Sequence, residues 1–354
     1  MIAIVLGTRP EIIKMSPIIR ECEKSSIPYY ILHTGQHYSY DMDRVFFEEL
    51  ELPGAEFNLD VGSGSHAEQT GKILLGVEKI LNSKPTDVVL VQGDTNTVMA
   101  AALAAAKLNI PVGHVEAGLR SFDRRMPEET NRVVADHIST YLFAPTNTAK
   151  DHLLHEGIPK EKIHVTGNTI VDAVYQNVEI GRKKGDILSE LGLDPGEYFL
   201  VTAHRAENVD QKSRLEGIFQ GLQEVQKEYE IPVVFPIHPR TQKMLSLFGI
   251  AHDGIRTVPP VGFLPFLQLE SNARLVLTDS GGVQEETCII GVPCVTLREN
   301  TERPETLEVG ANVLAGTDAN SIKNAVHSML DSPVTWTNPF GDGDAGKRIT
   351  RICS

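Results

Sequence analysis

Three acidic residues of this 354-residue chain have the type and spacing for a shared catalytic role: Asp94, Glu116 and Glu128. Asp94 and Glu116 each follow an apolar stretch that predicts a buried strand, and Glu128 begins a predicted helix directly after Pro127. Because the carboxyl ends of parallel strands share one edge of a sheet, these acids are expected to converge there. Grouped carboxylates can move protons. Taken singly, each acid could instead be a helix cap or a surface charge.

A second group of polar residues follows predicted strands in the latter half of the chain. Ser280, Gly281 and Gly282 open a predicted helix, so their backbone N–H groups and the helix dipole could hold a diphosphate. One turn further along, Glu285 or Glu286 is placed to accept hydrogen bonds from sugar hydroxyls. The pattern predicts an anion site, although two glycines after a strand often make only a turn.

The first predicted strand, at residues 2–6, also ends in a glycine at a helix start. Thr8 to Glu11 fits a capping box, with Pro10 early in the first helical turn. Such a start is expected to present backbone N–H groups and Arg9 to an anion. The dinucleotide fingerprint G-x-G-x-x-G is absent from it, so no nicotinamide cofactor is predicted.

Apolar strands alternate with amphipathic helices along the chain. This alternation predicts an α/β fold of two Rossmann-like, doubly wound parallel-sheet domains with an interdomain cleft. A polar segment at 182–196 marks the change of domain, and we predict domains at 1–169 and 170–342. The predicted strands are 2–6, 29–34, 87–91, 111–115, 141–144 and 163–165 in the first half, and 198–203, 232–237, 255–258, 274–277 and 293–297 in the second.

The bulk composition limits the class of partner. A formal charge of −14 argues against a nucleic acid or an anionic membrane, while local arginines could still bind a small anion. Four widely spaced cysteines predict neither a zinc site nor a disulfide framework. No apolar run reaches the roughly 18 residues of a membrane helix, and Met1 leads directly into a predicted strand. We therefore expect a cytoplasmic protein without a metal.

Eight short motifs stand in an order that is known from one family. They are G-T-R-P-E-I-I-K-M-S-P (7–17), G-D-T-N-T (93–97), H-V-E-A-G-L-R (114–120), P-E-E-T-N-R (127–132), T-G-N-T (166–169), H-R-A-E-N (204–208), T-D-S-G-G-V-Q-E-E (278–286) and T-E-R-P-E (301–305). Together they resemble the non-hydrolysing UDP-N-acetylglucosamine 2-epimerases. The resemblance covers essentially the whole chain.

The resemblance implies the GT-B fold, a homodimer, and a reaction that needs no metal or nicotinamide cofactor. The implied reaction interconverts UDP-GlcNAc and UDP-ManNAc through elimination of UDP and a 2-acetamidoglucal intermediate, and it supplies ManNAc units for surface polysaccharides and glycans. A C-terminal helix, within 343–354, is expected to cross back onto the first domain. The family's catalytic positions correspond to Asp94, Glu116, Glu128 and His204. Resemblance and charge together place Arg9, Lys14, Arg132, Arg205, Ser280, Gly281, Gly282, Glu286 and Arg303 around the substrate, with His238 as an additional nucleotide contact.

Bacterial members of this family bind a second UDP-GlcNAc, which activates the enzyme, beside the catalytic one. Gln36 and His37 match that region here, whereas Tyr38 replaces the basic residue that is common there. The resemblance therefore implies a possible allosteric site whose composition departs from the bacterial pattern.

Three other functions fit the same residues less well. A GT-B glycosyltransferase would need an acceptor surface, and none is identified in this acidic chain. A hydrolysing 2-epimerase would release free ManNAc and UDP, and it usually carries a different turn from the G-D-T-N-T at 93–97. A nucleotide-sugar binding protein would leave the grouped carboxylates without a purpose.

His114, inside an apolar strand, is interpreted as a satisfied core histidine.

Overall fold

Two parallel sheets form the framework of the protein, as the alternation of strands and helices predicted. The computed structural model describes residues 1–36 and 40–354. Within these residues the strands of the first sheet are β1 (Ile2–Leu6), β2 (Tyr29–His33), β3 (Phe57–Asn58), β4 (Val88–Gln92), β5 (Val112–Val115), β6 (Tyr141–Ala144) and β7 (Ile163–Val165). Their order is β3-β2-β1-β4-β5-β6-β7, and every pair is parallel.

The strands of the first sheet read as continuous apolar runs because helices cover both faces of such a sheet. The connecting helices are α1 (Arg9–Ser25), α2 (Tyr40–Glu49), α3 (His66–Ser83), α4 (Asn96–Lys107), α5 (Pro127–Ile138), α6 (Asn147–His155) and α7 (Thr169–Lys184), with a short 3-10 turn at Lys160–Lys162. Most alanines of α4 are fully buried, so small side chains let this helix pack closely.

The second sheet repeats the winding of the first with six strands among the described residues. These are β8 (Phe199–Thr202), β9 (Val233–Pro236), β10 (Ile255–Val258), β11 (Leu275–Thr278), β12 (Cys294–Thr296) and β13 (Asn312–Leu314), in the order β10-β9-β8-β11-β12-β13. The helices of this half are α8 (Ile187–Leu191), α9 (Ala206–Val209), α10 (Lys212–Tyr229), α11 (Pro239–Phe248), α12 (Phe263–Ser271), α13 (Gly281–Ile290), α14 (Pro304–Glu308) and α15 (Ala319–Asp331). A last helix, α16 (Ala345–Cys353), belongs to the first unit. In each sheet the strand order reverses beside the first strand, and ligands bind at such points in open α/β sheets.

The chain divides into two compact units inside α7. The first unit comprises residues 1–176 and 340–354, and the second comprises 177–339. The boundary predicted at 169/170 lies too early because the first turns of α7 contact the first unit. Gln176 accepts a hydrogen bond from Arg20 of α1 at 2.7 Å, and Asp172 accepts two from the start of α16. The closing helix α16 packs against α1.

Most of the elements that were not predicted are short, the exceptions being the helices α6 and α11, of nine and ten residues. The strands β3 and β13 have two and three residues, and α8, α9 and α14 have five residues or fewer. A hydrophobic period cannot be recognised over so few positions. No helix in the described part of the chain combines the length and the apolar composition that crossing a membrane requires.

Candidate functional site

Glu116 lies at the exit of β5 with its side chain almost fully buried. Its backbone is left-handed, with a φ of 65°, which is uncommon for a residue other than glycine. One carboxylate oxygen accepts hydrogen bonds from Lys14 Nζ at 2.6 Å and Asn168 Nδ2 at 2.9 Å, and the other accepts one from Gln92 Nε2. A cation and two amides therefore hold this acid, and all three donate to it as to an ionised carboxylate.

Asp94 follows β4 after Gly93, and the first turns of α5 hold it. Its carboxylate pairs with Arg132 Nη2 at 2.5 Å, while Asn131 Nδ2 donates to its backbone oxygen at 2.8 Å. A Cβ atom built on Gly93 would lie 3.9 Å from a carboxylate oxygen of Glu116. The turn that carries Asp94 therefore adjoins Glu116, as the shared sheet edge predicted.

Glu128 is the second residue of α5 and is half-exposed. Residues three and four positions apart share one face of a helix, so Glu128 lies on the face of Asn131 and Arg132, which contact Asp94. Among residues 1–36 and 40–354, no hydrogen-bond or ion-pair partner of its carboxylate is found. The three predicted acids thus differ in their surroundings: Glu116 is buried and paired with Lys14, Asp94 is paired with Arg132, and Glu128 is half-exposed.

The start of α1 was predicted to present its backbone N–H groups to an anion, but a side chain of the protein itself binds there. The Glu11 carboxylate accepts hydrogen bonds from the Gly7 N–H at 2.7 Å and from the Thr95 hydroxyl at 2.6 Å. The Thr8 side chain accepts no capping hydrogen bond, whereas the Glu11 side chain accepts one from the Thr8 backbone N–H. Only this second hydrogen bond of the predicted capping box is therefore present. Burial raises the pKa of Glu11 to about 7, against the opposing effect of these hydrogen bonds. A buried carboxyl group therefore fills the anion position at this helix start.

Two further predicted residues of the first unit, Arg9 and Gln36, have other neighbours. Arg9 Nε lies 3.3 Å from Asp43, and the Arg9 side chain remains 42% exposed. Gln36 is buried, and its side-chain oxygen accepts hydrogen bonds from the Thr97 N–H at 3.0 Å and the Thr97 hydroxyl at 2.8 Å. His37 lies outside the described residues.

His204 follows β8 in the second unit, and Asp279 fixes its backbone. The N–H groups of His204 and Arg205 both donate to the buried Asp279 carboxylate, at 3.0 and 2.9 Å. The His204 ring lies 5.9 Å from the ring of His238, centre to centre. Burial lowers the pKa of His204, with His238 and Arg205 adding to this effect and Asp279 opposing it. The imidazole of His204 is therefore neutral at neutral pH and half-exposed.

The start of α13 is open where the start of α1 is closed. The Ser280 side chain accepts no capping hydrogen bond, and the Ser280 N–H donates to Thr278 Oγ1 at 2.9 Å. Neither glycine that follows has a positive φ. A Cβ atom on Gly281 or Gly282 would meet no described atom closer than 3.5 Å. The fold itself therefore does not require glycine here. Gly281 is buried and Gly282 is exposed, and the N–H groups of both, at the start of a ten-residue helix, are suited to an anion that approaches the backbone closely.

Glu286 and Arg303 lie near this helix start and are held by other acids. Arg303 Nε is 3.1 Å from Glu285, whose carboxylate is buried. The half-exposed Glu286 is hydrogen-bonded to Glu270, which is fully buried in α12. Burial, followed by the charge of Glu286, raises the pKa of Glu270 well above its usual range. Glu270 therefore keeps its proton at a pH at which an exposed glutamate is ionised.

Three residues that the sequence did not single out hold the predicted ones in place. Gln92 and Asn168 bind Glu116, and Asp279 binds the backbone of His204. Gln92 carries the clearest signal, because it is a buried polar residue at the end of an otherwise apolar strand. Within residues 1–36 and 40–354, no group of three or more His, Cys, Asp or Glu side chains is arranged to hold a metal ion.

Known proteins similar to this chain share one description. The sequence profile of the family described as UDP-N-acetylglucosamine 2-epimerase matches residues 20–354. A UDP-N-acetylglucosamine 2-epimerase of Methanocaldococcus jannaschii is 57% identical, over 99% of this chain and 98% of its own length. A UDP-2,3-diacetamido-2,3-dideoxy-D-glucuronate 2-epimerase of Pseudomonas aeruginosa is 39% identical, over 98% of this chain and 97% of its own.

Solved structures agree with the sequence relatives. The crystal structure of the M. jannaschii UDP-GlcNAc 2-epimerase in complex with UDP-GlcNAc and UDP superposes with a TM-score of 0.84. It is 57% identical and covers 99% of this chain and 98% of its own. The two parallel α/β units of the present chain are those of the GT-B fold. The chain belongs to the UDP-N-acetylglucosamine 2-epimerase family.

Proposed function

We propose that this protein is a non-hydrolysing UDP-N-acetylglucosamine 2-epimerase that interconverts UDP-GlcNAc and UDP-ManNAc. The observation that carries the proposal is the grouping of Asp94, Glu116 and Glu128 with the cations Lys14 and Arg132. The relatives described above support the substrate class. The reaction needs no cofactor, because the leaving group and the proton donors are all present in the substrate and the protein.

The chemistry explains why such residues are required. The carbonyl of the N-acetyl group is not attached to carbon 2, so the proton on carbon 2 is not acidic by itself. When the anomeric C–O bond breaks, its electron pair leaves with UDP, and the developing positive charge makes that proton removable. The C–H electron pair then forms a double bond between carbons 1 and 2, giving 2-acetamidoglucal. Re-addition of UDP with protonation on the opposite face inverts carbon 2.

The two units supply different parts of this reaction. The acids of the first unit transfer protons on the two faces of the ring and stabilise its positive charge. In the second unit, the N–H groups of Gly281 and Gly282 and the hydroxyl of Ser280 bind the diphosphate, and Glu286 binds the ribose. Additional substrate contacts are assigned to Arg9, Arg205, His238 and Arg303. His204, which is neutral, donates a hydrogen bond to the leaving oxygen.

Deuterium labelling tests this function. The protein is incubated with UDP-GlcNAc in deuterated water, and the sugar is followed by NMR. We expect UDP-ManNAc with deuterium at carbon 2 and little free sugar. Accumulating free ManNAc would indicate a hydrolysing enzyme, and no turnover without an acceptor would indicate a transferase or a binding protein. A parallel incubation with the diacetamido-glucuronate derivative should show slower turnover, because the relatives with the higher identity act on UDP-GlcNAc.

We further propose a homodimer with a second UDP-GlcNAc site at Gln36 and His37, supplying ManNAc units for surface polysaccharide. The motif resemblance supports both features, and the M. jannaschii relative has been crystallised with UDP-GlcNAc and UDP together. Sedimentation should give twice the mass of one chain. The rate of the reverse reaction from UDP-ManNAc should rise when a trace of UDP-GlcNAc is added, and an unchanged rate would remove the second site.

A further inference from the structure

His114 is the residue of the acid-bearing sheet edge that the proposed mechanism leaves unused. It lies in β5 and is only 1% exposed. Its Nδ1 is 2.6 Å from an Asp136 carboxylate oxygen, and its Nε2 is 2.8 Å from the backbone oxygen of Gly93. Both neighbours are acceptors. A neutral imidazole carries one N–H and can donate to only one of them, whereas an imidazolium donates to both.

A closed network of charges keeps this ring protonated. The Asp136 carboxylate also accepts the Gly118 N–H at 3.2 Å and pairs with Arg120 Nη1 at 2.7 Å. Arg120 in turn binds Glu156 through Nε at 2.7 Å and Nη2 at 2.6 Å. Two cations, the His114 ring and Arg120, thus face the carboxylates of Asp136 and Glu156. Burial opposes the charged ring, but the charge and the hydrogen bonds of Asp136 outweigh it and Arg120, so the pKa of His114 is raised.

The acceptor that His114 binds is the peptide group that leads into Asp94. Gly93 has a φ of 85°, so the turn after β4 is a tight one. His114 donates to the carbonyl of Gly93, which directly precedes Asp94, and Asn131 donates to the carbonyl of Asp94 itself at 2.8 Å. With Arg132 on the carboxylate, the Asp94 residue is fixed at three points.

We propose that His114, as an imidazolium tied between Asp136 and the Gly93 carbonyl, is a positioning residue that sets the orientation of Asp94. This proposal rests on the proposed function, since it assumes that Asp94 acts on the sugar. Loss of the His114 proton leaves one of two acceptors without a donor and frees the turn. Displacement of a reacting group by about 1 Å can lower a rate about 100-fold. Displacement of Asp94 should therefore lower kcat. It should not change the binding of UDP, which is assigned to the second unit.

The test compares His114→Gln with His164→Gln in the full-length protein. His164 is a matched control, because it lies in β7 of the same sheet and its ring lies beside the rings of Tyr141 and Phe143. His114→Gln is expected to lower kcat about 100-fold with little change in the calorimetric Kd for UDP. The wild type is expected to lose kcat at alkaline pH as the His114 ring loses its proton, and His114→Gln should abolish this fall. Equal kcat losses in the two variants, or an alkaline limb that persists in His114→Gln, would overturn the proposal.

A spectroscopic measurement keeps the proposal falsifiable if His114→Gln does not fold. The wild type carrying ¹⁵N-labelled histidine should show one buried ring with protons on both nitrogens at neutral pH. Asp136→Asn should make that ring titrate at lower pH, because the carboxylate that stabilises its charge is gone. A neutral ring in the wild type at pH 7 would overturn the proposal. Neither result depends on turnover, so failure of the epimerase assay would be recognised separately.

Discussion

The starts of α1 and α13 both carry glycine shortly after a strand, and they are used in opposite ways. At α1 the packing requires glycine, since a Cβ atom on Gly7 would lie 2.0 Å from Thr34 Oγ1, and the Gly7 N–H donates to Glu11. At α13 a Cβ atom on Gly281 or Gly282 would meet no described atom closer than 3.5 Å. Glycine serves the fold at the first position. At the start of α13 the fold does not require glycine, and the lack of side chains leaves the backbone of Gly281 and Gly282 uncovered.

The difference shows that a glycine at a helix start does not by itself predict an anion site. A helix start attracts negative charge, and a carboxylate of the chain can satisfy it as well as a ligand can. In the first unit Glu11 does so, and the remaining acids are balanced by Lys14 and Arg132. This comparison supports the assignment of proton transfer to the first unit and of diphosphate binding to the second.

Removing one acid from the first unit should have the largest effect. Asp94→Asn, Glu116→Gln and Glu128→Gln are each expected to lower kcat by about 10²- to 10⁴-fold, the usual contribution of a positioned acid or base. Calorimetric UDP affinity should stay near that of the wild type. Glu190→Gln, at an exposed position in α8, is the control. Normal kcat in all three variants would remove these acids from the mechanism.

Adding one methyl group at each glycine should separate the two helix starts. Gly7→Ala is expected to lower the free energy of unfolding by about 1–3 kcal/mol or more, because the new Cβ overlaps the Thr34 side chain. Gly282→Ala should leave stability unchanged or raise it by up to about 1 kcal/mol, since alanine favours a helix. Denaturant titrations measure both values. Equal destabilisation by the two variants would contradict the distinction between them.

The carboxyl group that closes α1 should make stability depend on pH. The pKa of Glu11 is raised from 4.5 to about 7, so the folded protein binds this proton more tightly than the unfolded chain. The resulting stabilisation is complete below about pH 4.5 and is lost as the pH rises through about 7. Relative to Glu11→Gln, the wild type should lose on the order of 3 kcal/mol across this window. Parallel stability curves of the two proteins would show that Glu11 does not titrate there.

The smallest effect is expected at a third helix start, that of α16. Asp172 of α7 accepts the Ala345 N–H at 3.2 Å and the Gly346 N–H at 2.9 Å, so a carboxylate closes this start as Glu11 closes α1. Asp172→Ala should cost about 1 kcal/mol, the usual value of a lost cap. Thermal unfolding measures it, and UDP affinity should not change. Weakened UDP binding in this variant would argue against separate roles for the two units.

The long elements and the acids could be predicted from the sequence because their signals are local. Strands such as β1 and β6 are uninterrupted apolar runs, and both were predicted at their observed bounds, 2–6 and 141–144. The convergence of Asp94 and Glu116 followed from one rule, that parallel strands end at a common edge. These predictions needed no knowledge of which side chains touch.

The partners of the site residues could not be predicted, because they depend on contacts between distant parts of the chain. Lys14 was expected near the diphosphate or the sugar, and its ammonium binds Glu116, which lies 102 positions away. His114 was interpreted as a satisfied core histidine, which describes its burial but not its charge or the Gly93 carbonyl that it holds. Only the three-dimensional arrangement shows that both of its ring nitrogens face acceptors.

The affinity of Gly282→Asp for UDP tests the division of roles most directly. The substitution places a carboxylate at the open start of α13, as Glu11 does at α1. An aspartate in the first turn of a helix is favourable, and a Cβ atom at this exposed position would meet nothing closer than 3.9 Å, so the fold should persist. Calorimetry should show UDP binding weakened by about 100-fold or more, because like charges then oppose the diphosphate. An unchanged Kd for UDP would contradict a diphosphate site at this helix start.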